Sequence, residues 1–329
     1  MTRRHFAALA LGSAARGRPS GTSRAIAWLW DQQAPDGGWH SATYGLLRTG
    51  DSLTGFILDT LLKFDPPSRR VERALAFLES RMGPEGAIGW PKSIAHDYPN
   101  YATALAVKAF CRAGRHDRTA PMTAYLRSRQ FAGQNQWTPA APAFGAWGMG
   151  GPRLTPPHTG HIDLSMTRHV LEALRAAGAP ASDEAIQQSR VFLDRLRNQD
   201  GGYCFSTVVA DANKAGDGKS YGSATADAVL AARAAASDET SAAGWLRRNY
   251  TPDSVPGFEG ESREVWTRGL FFYYAATASA ALGVKNESVL RLQGPDGSFA
   301  NREPLVKEDD PLIATVFAIE ALNPGGRSW

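Results

Sequence analysis

Two kinds of helical pattern alternate along the chain. In the first kind, leucine, tryptophan and other apolar residues recur at intervals of three and four, with arginine and glutamate between them, as in a helix with one buried face. These stretches are 20–33, 68–81, 119–130, 182–199, 240–250 and 286–293. The second kind is apolar and small nearly all round, which predicts helices buried among others. These stretches are 51–62, 98–111, 163–176, 220–236, 264–282 and 309–322.

Glycine beside an aromatic residue separates the two helices of each unit. Six such points recur at spacings of roughly 40 to 57 residues, around Gly38, Gly89, Gly145, Gly202, Gly257 and Gly297. Three of them follow a glutamine, in segments that begin at Gln33, Gln199 and Gln293 and continue through Asp-Gly to an aromatic ring. Self-similarity at such a spacing is the sequence signature of a repeat architecture.

The six units predict an all-α fold in which six helical hairpins form an (α/α)6 barrel. The apolar helices would make an inner ring, and the amphipathic helices would cover it. A linear two-layer solenoid has the same local pattern, but six units suffice for a ring and no polar capping repeat marks either end. We expect one barrel domain over 20–325, with an extension at 1–19 and a tail at 326–329.

Composition narrows the class of protein. Hydrophobic residues make up 43% and charged residues 21% of the 329, as in an ordinary globular chain. No apolar run approaches the roughly 20 residues of a membrane span. The 36 basic residues are spread along helix faces without a cluster, so nucleic acid is not an expected partner. The only cysteines, Cys111 and Cys204, lie too far apart for a disulfide framework or a cysteine-built zinc site.

The first fifteen residues invite a separate interpretation. Arg3-Arg4, Phe6 and a short stretch of apolar and small residues resemble a twin-arginine export signal, with a cleavage region at 13–15. A frayed first helix would account for the same residues. We therefore expect the protein either to stay in the cytoplasm or to be exported through a twin-arginine-type signal.

At its glycine-aromatic repeats the sequence resembles the terpenoid cyclase and protein prenyltransferase superfamily. The three glutamine-containing segments are similar to the Gln-Trp repeats of squalene cyclases. Segments 97–106, 163–168 and 310–315 are similar to the inner-helix starts of that family. The resemblance covers nearly the whole chain after residue 20. It implies a single squalene-cyclase-like barrel with a central cavity for a lipophilic, isoprenoid-type ligand.

The family's catalytic motifs are not carried over. Class II terpene cyclases protonate an alkene with an Asp-x-Asp-Asp motif, of which this chain keeps Asp163 alone at the matching inner-helix start. Asp309 and Asp310 are adjacent acids, but they precede Pro311 in the last repeat. The prenyltransferase zinc site is also missing, because Cys204 lacks the aspartate two positions before it and the next inner-helix start has no histidine.

Candidate site residues gather where the inner helices begin, because those starts meet at one mouth of the barrel and their dipoles favour anions there. If the protein is an enzyme, the acids expected to act are Asp163, Asp309 and Asp310. The same carboxylates can instead cap helices. Ligand contacts are expected from His96, Asp97, Tyr98, Tyr101, His158, His161, Tyr221, Glu264, Trp266 and Tyr273.

The densest polar cluster is the run His158-x-x-His161-x-Asp163. Two imidazoles and a carboxylate can bind a divalent metal if a loop brings them to one side. The same residues can also face a substrate or lie in a surface loop, so the sequence leaves the cofactor open.

Three functions remain open at this point. The first is a cyclase- or prenyltransferase-like enzyme acting on an isoprenoid. The second is a non-catalytic barrel that binds a lipophilic small molecule, a peptide or another protein. The third is a carbohydrate-active (α/α)6 enzyme, which would need a pair of carboxylates across a sugar. The lining of the central cavity distinguishes them.

Overall fold

A computed structural model describes residues 20–64, 68–89, 98–216 and 218–325. The predicted N-terminal extension at 1–19, which includes the export-signal interpretation, and the tail at 326–329 lie outside these ranges. The α-helices of the described ranges are α1 (Gly21–Asp31), α2 (Asp51–Leu61), α3 (Arg69–Ser80), α4 (Pro99–Arg112), α5 (Ala120–Ser128), α6 (Leu164–Ala176), α7 (Glu184–Leu196), α8 (Gly222–Ala235), α9 (Thr240–Asn249), α10 (Gly260–Gly269), α11 (Phe271–Leu282) and α12 (Pro311–Leu322).

Six of these helices close into an inner ring. The helices α2, α4, α6, α8, α11 and α12 each pack against the next, and α12 packs against α2. Outside them lie α1, α3, α5, α7, α9 and the short 3-10 helix Glu287–Leu292. The outer layer closes as well, since the Gln293 side-chain amide donates to the Gly21 carbonyl at 2.8 Å. The predicted (α/α)6 toroid is confirmed, and the linear solenoid is excluded.

Inner and outer helices differ in how many of their residues are buried. The outer helix α3 buries only one stripe, formed by Val71, Ala74, Leu75, Phe77 and Leu78. The inner helix α12 buries nine of its twelve residues, as expected for a helix enclosed by neighbours. No helix of the described ranges combines the length and the apolar character needed to cross a bilayer.

A threonine near the start of five inner helices ties the layers together. In each case its Oγ1 accepts a backbone N–H from the turn that precedes the helix, at 2.9 to 3.3 Å. All five threonines are fully buried: Thr54, Thr103, Thr167, Thr225 and Thr315. Each satisfies an amide that would otherwise be buried without a partner. In α11, Tyr274 takes the equivalent position.

In three repeats a glutamine joins the turn to the next outer helix. The Gln33 amide donates to Gly37 O and to Arg70 O at 2.9 Å, and Gln293 bonds its own turn and Gly21 in the same way. Gln130 makes the same pair of bonds, to Gly145 O and Ala185 O. In the fourth unit, the residue four before the turn glycine Gly201 is Arg197, so Gln199 is not the equivalent of the other glutamines.

One predicted inner helix is divided in two. The stretch 264–282 forms α10 and α11, which meet at Leu270. Residues 260–265 are exposed because they are largely polar, so α10 cannot belong to the inner ring. The first free amides of α11 are satisfied by the fully buried Glu308, whose carboxylate accepts the N–H groups of Phe272 and Tyr273 at 2.9 and 2.7 Å.

Candidate functional site

A cavity of about 300 Å³ occupies the axis of the barrel at the end where the inner helices begin. We call it the apolar chamber. Its aromatic walls are Phe56, Tyr98, Tyr101, Phe205, Tyr221, Tyr273 and Phe317. Its aliphatic walls are Leu47, Leu53, Met149, Met166, Ala212, Leu270, Val306 and Ile313. Few polar groups interrupt this surface, as is common in sites for small organic ligands.

Loops from neighbouring repeats complete the wall and are fixed to the helix starts. The Asn100 N–H at the beginning of α4 donates to Met149 O at 3.0 Å. The Leu164 N–H at the beginning of α6 donates to Phe205 O at 2.9 Å. These bonds use free amides of the helix ends, and they hold the Met149 and Phe205 side chains over the chamber.

Two lysines contribute to the chamber lining from loops. The Lys307 ammonium lies 5.7 Å from the ring centre of Tyr44 and 6.0 Å from that of Tyr98. The Lys214 ammonium lies 5.4 Å from the ring centre of Trp266. Within the described ranges, neither lysine forms an ion pair with a carboxylate. The chamber therefore combines an apolar interior with two cations held by aromatic faces.

Two phenylalanines close the inner end of the chamber. The rings of Phe56 and Phe317 lie 5.2 Å apart, centre to centre, in an edge-to-face contact. Both side chains also line a second cavity on the other side. The pair, which we call the partition, therefore divides the axis of the barrel.

The second cavity, the charged chamber, has a volume of about 700 Å³ and lies where the inner helices end. Its walls carry six basic residues, Lys63, Lys108, Arg112, Arg168, Arg175 and Arg233, and three acidic ones, Asp59, Glu172 and Glu320. Cations are favoured there because helix carbonyl ends carry negative partial charge.

The charges join into a chain across four inner helices. Arg168 of α6 contacts Asp227 of α8 at 2.8 Å and Glu172 at 3.0 Å. The Lys108 ammonium of α4 lies 2.7 Å from Glu172 and 3.6 Å from Asp59 of α2. Cations and anions alternate along this chain, so each buried charge has a partner of opposite sign.

The ionic chain sets the protonation of its members. Burial would raise the pKa of Glu172, but Arg168 and Lys108 hold it well below its ordinary value. Burial and the same two cations lower the pKa of His169, which is therefore neutral. Arg168 can only donate to His169 Nε2, at 2.7 Å, so the proton of that imidazole is on Nδ1.

Of the three predicted catalytic acids, the structure places one in the lining of the apolar chamber and two outside it. Asp163 lines the apolar chamber, caps α6 through the Met166 N–H at 2.7 Å, and lies 2.9 Å from His161 Nε2. Asp310 caps α12 through the Leu312 N–H and accepts a hydrogen bond from Ser41. Asp309 accepts one from Tyr44. Neither Asp309 nor Asp310 lines the chamber. Asp310 therefore fits the alternative interpretation, in which the carboxylate caps a helix.

The predicted ligand contacts are also divided. Tyr98, Tyr101, Tyr221 and Tyr273 line the apolar chamber. Trp266 lies beside it, stacked on Phe258 with ring centres 6.2 Å apart.

Other predicted contacts lie elsewhere. Glu264 is exposed on α10 and pairs with Arg268 at 2.6 Å, so its expected place on an inner helix is wrong. His96 and Asp97 lie outside the described residues. His158 and His161 are exposed. Among the residues that the structure describes, no three His, Cys, Asp or Glu side chains are grouped to hold a metal ion, so the suggested His158, His161 and Asp163 set does not form one.

Sequence reasoning missed the buried charges and the lysines of the chamber. A signal for the first was present, because Lys108 and Arg168 stand within otherwise apolar inner helices, where a charge must find a partner. No comparable signal exists for Lys214 and Lys307, which lie in loops without a periodic pattern.

Comparison with known proteins supports the architecture. A family model described as the squalene-hopene cyclase C-terminal domain matches residues 103–253, which is less than half of the chain. A search of curated proteins finds no significant match.

Solved structures share the fold at low sequence identity. A variant of the type II terpene cyclase MstE from Scytonema, with its product merosterolic acid A, has a TM-score of 0.59 at 13% identity. The match covers 93% of this chain and 96% of that one. Candida albicans protein geranylgeranyltransferase-I, complexed with GGPP, has a TM-score of 0.56 at 14% identity, covering 92% and 90%. A protein from Actinoplanes has a TM-score of 0.58 at 15% identity, covering 92% and 98%. The resemblance to the terpenoid cyclase and prenyltransferase superfamily is confirmed.

Proposed function

We propose that this protein binds a lipophilic, isoprenoid-type ligand in the apolar chamber. The observation that carries the proposal is the lining itself: fifteen of its 21 described residues are apolar or aromatic, and the volume of about 300 Å³ suits a small molecule. Aromatic faces and aliphatic side chains gain free energy by removing a hydrocarbon chain from water.

The neighbours point to the same class of ligand. The Scytonema cyclase of the same fold has been solved with its substrate, geranylgeranyl dihydroxybenzoate, and the prenyltransferase has been solved with GGPP. For the present chain, ligand binding is the function that the geometry supports best. Any catalysis would rely on Asp163, because among the described residues it is the only carboxylate of the chamber lining.

The carbohydrate alternative has less support. A glycosidase needs two carboxyl groups facing one sugar, whereas the part of the chain that the structure describes places Asp163 alone in the lining of the apolar chamber. The acids of the charged chamber are already paired with lysine or arginine.

Direct titration tests the proposal. Farnesol and cellobiose are added separately to the purified chain, and binding is followed by calorimetry or intrinsic tryptophan fluorescence. We expect saturable binding of farnesol and none of cellobiose. A Leu53→Trp variant fills the chamber and should abolish farnesol binding, while Leu290→Trp, at a residue 40% exposed on the surface, should not. Ile313→Phe is a milder second filling variant. The proposal fails if farnesol does not bind, or if both filling variants bind it like the wild type.

A further inference from the structure

The charged side chains of the charged chamber form two layers along its walls. In the deeper layer, Lys108 and Arg168 alternate with Asp59 and Glu172, so the positive and negative charges balance. The outer layer lies about one helical turn farther along, where the inner helices end. It has one member from each inner helix, in the order of the ring: Lys63, Arg112, Arg175, Arg233, Ala280 and Glu320. The positive charge that the chamber has in excess therefore lies in the outer layer.

The cations of the outer layer are not spread evenly around the ring. Three neighbouring helices, α4, α6 and α8, each contribute an arginine, whereas α11 contributes Ala280. The helix α12 contributes Glu320, whose carboxylate pairs with Lys63. All six helices end with free carbonyl groups, so compensation of the helix dipoles would place cations on every side. The one-sided group needs another explanation, and we call its members the arginine arc: Arg112, Arg175 and Arg233.

Arg175, in the middle of the arc, has no carboxylate partner among the described residues. One of its nitrogens, Nη1, donates to the Ala179 carbonyl of the following loop. The five other cations of the chamber share five carboxylates, which are Asp59, Glu172, Asp227, Glu239 and Glu320. Arg175 is only partly exposed, so a guanidinium group with several unused N–H donors faces the chamber. An anion bound there would supply the missing negative charge.

We propose that the arginine arc binds a phosphate dianion, free or as part of a small organic molecule, in the charged chamber. Neighbouring helices pack about 8 to 10 Å apart, so long side chains from adjacent helices can reach one shared anion. A phosphate group has enough oxygens to accept from more than one guanidinium fork, and the planar fork of arginine matches its geometry. The volume of about 700 Å³ leaves room for an attached organic group. This site is independent of the proposed function, because the partition separates it from the apolar chamber.

Calorimetry on the full chain tests the site with inorganic phosphate at pH 7.5, with sodium chloride holding the ionic strength constant. We expect saturable binding. Arg175→Gln should weaken it about tenfold or more, as the loss of a charge-assisted hydrogen bond implies, and Arg233→Gln should weaken it as well. Arg175→Lys keeps the charge without the fork, so its affinity should lie between those of the wild type and Arg175→Gln. Glycerol 3-phosphate is titrated in the same way: tighter binding than inorganic phosphate assigns an organic phosphate, and equal or weaker binding assigns the free anion.

Arg268→Gln is the matched control. It removes the same charge from an exposed arginine of α10 that lines neither chamber, so it should bind phosphate like the wild type. Thermal unfolding should confirm that each variant is folded, and Arg175→Gln should bind farnesol as the wild type does. Absence of phosphate binding, or wild-type affinity in both Arg175→Gln and Arg233→Gln, would overturn the phosphate site and leave the proposed function standing. Equal weakening by Arg268→Gln and Arg175→Gln would also overturn it, because net charge alone would then explain the binding.

Discussion

The Oγ1 atom of Thr225 accepts the backbone N–H of Tyr203 at 3.1 Å, inside the protein. Thr225 belongs to the inner helix α8, whereas Tyr203 belongs to the turn that follows the outer helix α7. The bond therefore fixes the distance between the two layers of one repeat. Four other inner helices make the same bond, so a single residue type sets the geometry of most of the ring.

Replacing Thr225 by valine keeps the shape of the side chain and removes the acceptor. The Tyr203 amide would then be buried without a partner, which costs about 1 to 3 kcal/mol. We expect the free energy of unfolding, measured by urea denaturation, to fall by that amount.

Thr277→Val is the matched control for this prediction. Thr277 is also a buried inner-helix threonine, but its hydroxyl donates to the Tyr273 carbonyl of its own helix, so its loss leaves no amide unpaired. The variant should lose less than about 1 kcal/mol. A Thr225→Val protein as stable as Thr277→Val would contradict the role assigned to the interlayer bond.

The ring was predictable because it depends on periodicity. Outer and inner helices differ in how much of their surface is apolar, and the consecutive residues of each helix show that difference. Which residues are equivalent from one repeat to the next was harder to predict from the sequence. Gln199 looks like Gln33 and Gln293 in the sequence, but Arg197 holds the equivalent place, while Gln130 was missed because an insertion separates it from its turn glycine, Gly145.

The candidate site was predictable only in part. Tyr98, Tyr101, Tyr221 and Tyr273 were identified because they stand at the starts of inner helices, where the fold brings them together. The contacts of the Tyr273 hydroxyl with Ser165 and Asp227 were not predicted, since these residues are far apart in the sequence and only the packing of α6, α8 and α11 joins them. Such contacts depend on how far each helix is rotated about its own axis, and apolar periodicity predicts that angle too coarsely.

The ionic chain of the charged chamber makes Glu172 important for stability. Glu172→Gln leaves Lys108 and Arg168 buried with one anion fewer, and breaking a buried pair costs about 3 to 5 kcal/mol. The exposed pair of Glu264 and Arg268 supplies the control, because Glu264→Gln should change stability by less than about 1 kcal/mol. Urea denaturation at pH 7 measures both. If both substitutions lowered the free energy of unfolding by the same amount, the buried ion pairs would stabilise the fold no more than an exposed pair does.

The same chain predicts sensitivity to acid. The pKa values of Asp59 and Glu172 are lowered in the folded chain by their lysine and arginine partners, despite burial. Their contribution to stability is complete above the ordinary carboxyl range near pH 4 and is lost as the pH falls through the folded values. Asp227 acts in the opposite sense, since its pKa is raised; its protonation between about pH 6 and 4 favours the folded state.

We therefore expect the stability difference between wild type and Glu172→Gln to narrow as the pH is lowered from 5 to 3, because Glu172 takes up a proton in the unfolded chain over this range while it stays ionised in the folded one. Thermal unfolding at half-unit steps of pH measures this difference. A difference that stays constant over the whole range would mean that Glu172 contributes through its shape rather than its charge.

The lysines of the apolar chamber predict a response to ligand charge. Lys307→Met keeps an unbranched side chain and removes the ammonium group near Tyr44 and Tyr98. We expect it to weaken binding of farnesoic acid, whose carboxylate is ionised at pH 7.5, by about tenfold and to leave farnesol nearly unchanged. Lys219→Met removes an exposed lysine that does not line the chamber and should affect neither ligand. Equal weakening of acid and alcohol by Lys307→Met would mean that the lysine acts by packing.

The partition between the two chambers predicts how long a ligand can be. Phe56 and Phe317 separate about 300 Å³ of apolar space from a cavity more than twice as large. Phe317→Leu removes one ring of the pair, so a longer hydrocarbon chain can extend past it. We expect the variant to bind geranylgeraniol more tightly relative to farnesol than the wild type does, by competition at pH 7.5. Phe192→Leu truncates a fully buried ring of the outer helix α7, away from both cavities, and should leave the preference unchanged. If Phe317→Leu keeps the wild-type preference, the partition does not limit ligand length.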